Sequence, residues 1–101
     1  MKKEHAVWTA ISEQTHKTLS EISAKTGMTM TKIVKQILFI NPPKEIVEEY
    51  RFTTKKSRRM VIKMSDLEFE KVEKMAQQHK ISISRFIRNV VYSYLLEKGL
   101  A

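Results

Sequence analysis

The sequence predicts a mainly α protein with one two-stranded antiparallel β-ribbon, both strands and all four helices coming from a single chain of 101 residues. Two observations lead there. The chain matches itself without gaps at an offset of 53 residues, and each copy opens on a short alternating segment followed by two capped helical patterns. A chain this long is one domain, or two units too small to fold separately. The expected organisation is a first copy over 6–40, a linker over 41–57 and a second copy over 58–98, together one compact domain.

The repeat is carried by named pairs. Ser12 matches Ser65, each followed by an acid, Glu13 or Asp66. Leu19 falls on Val72, Ile22 on Met75, Thr29 on Ser82, and Ile33, Val34, Ile37 and Leu38 on Phe86, Ile87, Val90 and Val91. Lys35 falls on Arg88. Helical periodicity alone produces many apolar matches. Hydroxyl caps held in one register are harder to reach by accident.

Each element has a local reason. Val7, Thr9, Ile11 and Met60, Ile62, Met64 alternate with period two, the mark of a half-buried strand. Ser12 and Ser65 then supply the side-chain oxygen of an N-cap, and Ser65-Asp66-Leu67-Glu68 reads as a capping box. His16, Leu19, Ile22, Ser23 and Phe69, Val72, Met75, Ala76, His79 recur at helical spacing. Gly27 ends the first of these helices, whereas its counterpart Lys80 departs from the glycine rule. Thr29 and Ser82 open a second helix in each copy, and Tyr94 and Leu95 extend the apolar face of the last. In the linker, Pro42-Pro43 predicts the end of one helix and the start of a short one carrying Ile46, Val47 and Tyr50, with Glu45, Glu48 and Glu49 on its solvated face.

A lone strand cannot satisfy its own backbone, and two short helices cannot bury both faces. Each copy therefore needs the other. Pairing the strands around Trp8 and Val61 sets Ala6 beside Lys63 and Ala10 beside Arg59, with the helices beneath the face of Val7, Thr9, Ile11, Met60, Ile62 and Met64.

Residues 58–95, "RRMVIKMSDLEFEKVEKMAQQHKISISRFIRNVVYSYL", then resemble the ribbon-helix-helix family of DNA-binding proteins, the Arc/MetJ/CopG type. Residues 6–39 carry the same pattern more faintly, with His16 where an apolar residue is usual. The two stretches cover about 70 of the 101 residues. Most members build the ribbon from two chains; a tandem pseudo-dimer in one chain resembles the architecture of the TraY proteins of conjugative plasmids.

The resemblance implies a ribbon in the DNA major groove with outward side chains reading bases and the second-helix starts holding phosphates. On this chain the base-reading positions are Ala6, Trp8, Ala10, Arg59, Val61 and Lys63. The phosphate anchors are Thr29, Thr31, Ser82 and Ser84, joined by Lys55, Lys56 and Arg58 just before or at the ribbon, where a basic arm is the alternative. Trp8 is in tension: the Ser12 register points it outward, while the burial preference of tryptophan points it into the core.

Composition agrees with a polyanionic partner. Nineteen Lys and Arg against eleven Asp and Glu give +8, of which residues 54–101 contribute +6. No cysteine means no disulfide and no thiolate metal site, as expected in a reducing cytoplasm of bacterial, archaeal, plasmid or phage origin. The sequence shows neither a signal peptide nor a membrane-spanning run. His5, His16 and His79 stand apart and read as surface histidines, and the six methionines as core, so no cofactor or metal is expected. Nor is an enzyme, because no nucleophile, base and orienter coincide. Expected partners are double-stranded DNA, further copies bound side by side, and a relaxase if the role is conjugative. A transcriptional repressor is the first expectation and an accessory protein at a plasmid transfer origin the second. An antitoxin-like interaction module is the third, weakened because only "EKGLA" follows the last helix pattern.

Overall fold

The computed structural model describes residues 4–101 and orders its elements as strand, helix, helix, then strand, helix, helix. They are β1 (Glu4–Ser12), α1 (Glu13–Thr26), α2 (Met30–Phe39), β2 (Ser57–Ser65), α3 (Asp66–Gln78) and α4 (Ile83–Glu97), with a 3-10 turn at Thr54–Lys56. The two strands form one antiparallel sheet in which Trp8 faces Val61, Ala6 faces Lys63 and Ala10 faces Arg59. Both strands are nine residues long and extend beyond the alternating core, pairing Glu4 with Ser65 and Ser12 with Ser57. Among the described residues no helix is long and apolar enough to cross a membrane.

The alternation sets the two faces of the ribbon. Val7, Thr9, Ile11, Ile62 and Met64 are buried and Met60 half-buried, while Trp8 is 63% exposed. The outward register therefore wins over the burial preference of tryptophan, because turning Trp8 inward would bring out Val7, Ile11 and Ile62 together. Beneath the ribbon lie Leu19 of α1, Ile33, Val34, Ile37 and Leu38 of α2, Val72 and Ala76 of α3, and Phe86, Ile87, Val90, Val91 and Leu95 of α4. At about 25 cal/mol per Å² of apolar surface, this shared cluster is the main term holding the two copies together.

The caps are where the sequence places them. Ser12, Thr29, Ser65 and Ser82 each accept the N–H of the residue three positions on, and Ser65 with Glu68 closes a full capping box. Gly27 and Lys80 also match: both are left-handed, at φ 74° and 58°. Lys80 thus adopts the conformation usual for glycine. It donates to Gln77 O while Ile81 donates to Ala76 O, the paired bonds of a Schellman ending.

The linker differs from the expectation. It forms no helix around Ile46–Tyr50; its backbone is bonded instead to side chains of α4. Lys44 N–H donates to the Glu97 carboxylate, Val47 N–H to Ser93 Oγ (2.8 Å) and Glu49 N–H to Asn89 Oδ1 (3.1 Å). Arg85, Asn89, Ser93 and Glu97 form one polar stripe at four-residue spacing, along which the linker runs from the end of α4 toward its start. A helix would have used those N–H groups internally.

Glu49 is likewise not on a solvated face: it is 4% exposed. Its carboxylate accepts from the Ser12 and Thr15 hydroxyls and lies 3.6 Å from Arg51 Nη2. The repeat explains why. In the second copy Glu68 itself supplies the carboxylate at the helix start and also pairs with Lys35 at 3.0 Å. The position equivalent to Glu68 in the first copy is Thr15, which has no carboxylate, and the linker provides one through Glu49.

Candidate nucleic-acid interface

A two-stranded ribbon has two open edges whose backbone groups need partners. Here the starts of α2 and α4 provide them. On the β2 edge, Thr31 Oγ1 donates to Val61 O at 3.3 Å. On the β1 edge, Ala10 N–H donates to Ser84 Oγ at 3.3 Å, Thr9 Oγ1 donates to Ser84 O at 2.9 Å, and Arg88 Nη1 donates to Ala10 O at 3.3 Å. One helix N-terminus therefore flanks each edge of the outward face, tied to it by side chains that fall 53 residues apart.

These bonds alter the expected division of labour among the hydroxyls. Thr31 and Ser84 hold the helix starts against the ribbon, and Thr29 and Ser82 accept from the Lys32 and Arg85 N–H groups at 3.2 Å. The donors left over at each start are the backbone N–H groups of the first helical residues, which have no partner within the helix. The helix dipole adds partial positive charge there.

The outward face itself is brought together as the sequence predicts. Ala6, Trp8, Arg59 and Lys63 are exposed, Ala10 and Val61 half-buried, and all six have one parity on the paired strands. Neither Arg59 nor Lys63 makes an ion pair among the described residues, so both cations are available to an outside acceptor. Lys55 and Lys56 are not in a loose arm. They lie in the 3-10 turn, whose start Thr53 caps by accepting Lys56 N–H at 3.3 Å. Arg58 falls outside the group: it lies opposite Ile11 with the parity of the inner face, and lines an open hollow with Glu13, His16, Lys17 and Glu21.

Four side chains of this surface escape a reading of the sequence. Lys32 and Arg85 occupy the third position of α2 and α4, three residues after the caps and 53 apart, a coincidence visible in the sequence once the caps are aligned. Glu48 pairs with Arg85 through both Nε and Nη2. Arg88 lies with its guanidinium carbon 3.7 Å from the Phe52 ring centroid. Burial lowers the Arg88 pKa from its ordinary value, partly opposed by the nearby Glu49 carboxylate. His5 is also less isolated than expected: its ring stacks on Phe69 at 4.4 Å and Nε2 lies 2.5 Å from Asp66 Oδ1. Among the described residues no group of three or more His, Asp or Glu is placed to hold a metal ion.

No family model matches the chain, and neither a curated protein nor a solved structure does.

Proposed function

We propose that this chain is a tandem ribbon-helix-helix protein, a pseudo-dimer within one polypeptide, that inserts its ribbon into the DNA major groove and acts as a transcriptional regulator, most simply a repressor. The observation that carries the reading is the outward ribbon face. It offers two cations unpaired among the described residues, Arg59 and Lys63, around an exposed Trp8, in a register where Trp8 lies against its own repeat equivalent Val61. That pairing is the one a two-fold axis through the central pair would generate. A ribbon of this width fits the major groove, where Arg and Lys donate to guanine O6 and N7 and apolar groups contact the thymine methyl. The starts of α2 and α4 supply the sequence-independent part. Neither has an acid in its first turn, and each carries a cation there, Lys32 or Arg85.

Footprinting on DNA of the source replicon tests this. The expected result is a discrete protected site, with Arg59→Ala and Lys63→Ala each losing about 1–3 kcal/mol of discrimination between that site and random duplex. Sequence-indifferent protection would overturn it. The covalent joining of the two copies favours a second role at the same DNA surface, as an accessory protein at a plasmid transfer origin. A footprint beside a nicking site, with retention of a relaxase there, would select that role over repression.

A further inference from the structure

We propose that the linker carboxylate of Glu48 is an intramolecular competitor for DNA phosphate at Arg85, so that the two helix starts flanking the ribbon engage the DNA backbone unequally. The inference rests on the DNA-binding reading and adds a built-in regulator to one of its anchors. The first turns of the four helices differ in charge. Those of α1 and α3 carry Glu13, and Asp66 with Glu68, which suit the positive end of a helix dipole. Those of α2 and α4 carry no acid and set Lys32 or Arg85 at the third position, which adds positive charge to positive charge. Such a helix start calls for an anion from elsewhere.

At α4 that anion comes from the chain itself. Glu48 reaches Arg85 across 37 residues of sequence and accepts from both Nε and Nη2 on one oxygen. A guanidinium fork meets carboxylate and phosphate oxygens with the same geometry, so the two are alternatives for one donor set. At α2 nothing equivalent is present: Lys32 is exposed and makes no ion pair among the described residues.

Two features make Glu48 a competitor rather than a lock. Its neighbours are fixed independently of it, Val47 by both its N–H and C=O to Ser93 Oγ and Glu49 by its N–H to Asn89, so the carboxylate stays near Arg85 whether or not the pair is made. The pair itself is open to solvent, with side chains 46% and 54% exposed, and an exposed pair is weak enough to exchange. Phosphate at Arg85 must therefore displace Glu48, whereas phosphate at Lys32 displaces only counterions.

Phosphate contact carries no sequence information, so a short mixed-sequence duplex is a sufficient probe. Its affinity is measured between about 50 and 200 mM salt for the wild-type chain, Glu48→Gln, Glu45→Gln, Arg85→Ala and the Glu48→Gln/Arg85→Ala pair, with melting curves showing each variant folded. Glu48→Gln is expected to bind about two- to fivefold tighter, the range of an exposed ion pair. Its log-affinity should fall with log salt at least as steeply as that of the wild-type chain, because the phosphate contact at Arg85 is made in both. The gain should vanish in the Arg85→Ala background. Glu45→Gln, which also removes an exposed linker charge, should give less. No gain for Glu48→Gln, an equal gain for Glu45→Gln, or a gain that persists without Arg85 would each overturn the proposal while leaving DNA binding standing. Failure of the wild-type chain to bind duplex at all overturns the DNA reading and this inference with it, and is seen before any variant is compared.

Discussion

Lys80 holds a backbone angle of φ 58°, where a side chain bearing a Cβ costs roughly 1–2 kcal/mol. The equivalent residue, Gly27, holds φ 74° without that cost, and a Cβ built there meets nothing within 4 Å. Gly27→Ala therefore isolates the backbone penalty, and Lys80→Gly removes it. Part of the gain in Lys80→Gly is returned as unfolded-chain entropy, about 0.5–1 kcal/mol for glycine. We expect Lys80→Gly to stabilise by about 0.5–1 kcal/mol and Gly27→Ala to destabilise by about 1 kcal/mol, read from urea midpoints at unchanged slope. A lysine-to-glycine change that leaves the midpoint unmoved would show that Lys80 recovers its cost through a contact of its side chain. Because Lys80 donates to Gln77 O and Ile81 to Ala76 O, the cost is borne to close the carbonyl end of α3 above the core.

At the scale of elements, the helix starts tie stability to pH. Burial works to raise the Glu68 carboxyl, but the Ser65 N–H and the Lys35 ammonium outweigh it, and its pKa lies below the ordinary 4.5. A lowered carboxyl contributes stability that is fully present above the unfolded value and is lost as pH falls through the folded one. Glu68→Gln keeps the acceptor oxygen of the capping box and loses only the charge. The expected result is a variant less stable than wild type by under ~1 kcal/mol near neutrality, converging with it below about pH 4.5 in thermal or urea melts. A gap that stays constant down to acid would mean that the charge is not the source. This start was legible in the sequence because its chemistry is local: Ser65 and Glu68 are three residues apart. So were Ser12, Thr29 and Ser82, and the strand faces followed from alternation. The linker was not legible, because its partners are 34 to 53 residues away and its pattern of Pro42-Pro43 and spaced acids suits a helix equally well. Its trace in the sequence is the polar stripe of Arg85, Asn89, Ser93 and Glu97 on a helix otherwise apolar on most sides, together with Thr15 where its repeat partner is Glu68. The outward ribbon face was legible as a set. The Glu48–Arg85 pair on its flank, again made across the linker, was not.

The whole molecule combines a symmetric frame with an asymmetric face. The 53-residue repeat relates Ala6 to Arg59, Trp8 to Val61 and Ala10 to Lys63, so both basic positions on the outward face of the ribbon have an apolar one as their mate. Two identical chains would present each cation twice, about an axis, and would favour a palindrome. This chain presents Arg59 and Lys63 once, from β2, facing Ala10 and Ala6 of β1. On the DNA-binding reading proposed above, selection from a randomised duplex library should return a non-palindromic site, its guanine contacts confined to the part read by β2. Ala6→Arg with Ala10→Lys copies the basic pattern onto β1 without touching the inner face, since both side chains point outward and the buried Val7, Thr9 and Ile11 are unchanged. The doubly substituted chain should select a palindrome in which the wild-type guanine-bearing half appears twice, and should bind it more tightly than the wild-type site. Each good bidentate pair adds about 1–3 kcal/mol of discrimination at its base. A palindrome selected by the wild-type chain, or an unchanged selection by the variant, would mean that the outward side chains of the ribbon do not set the sequence it recognises.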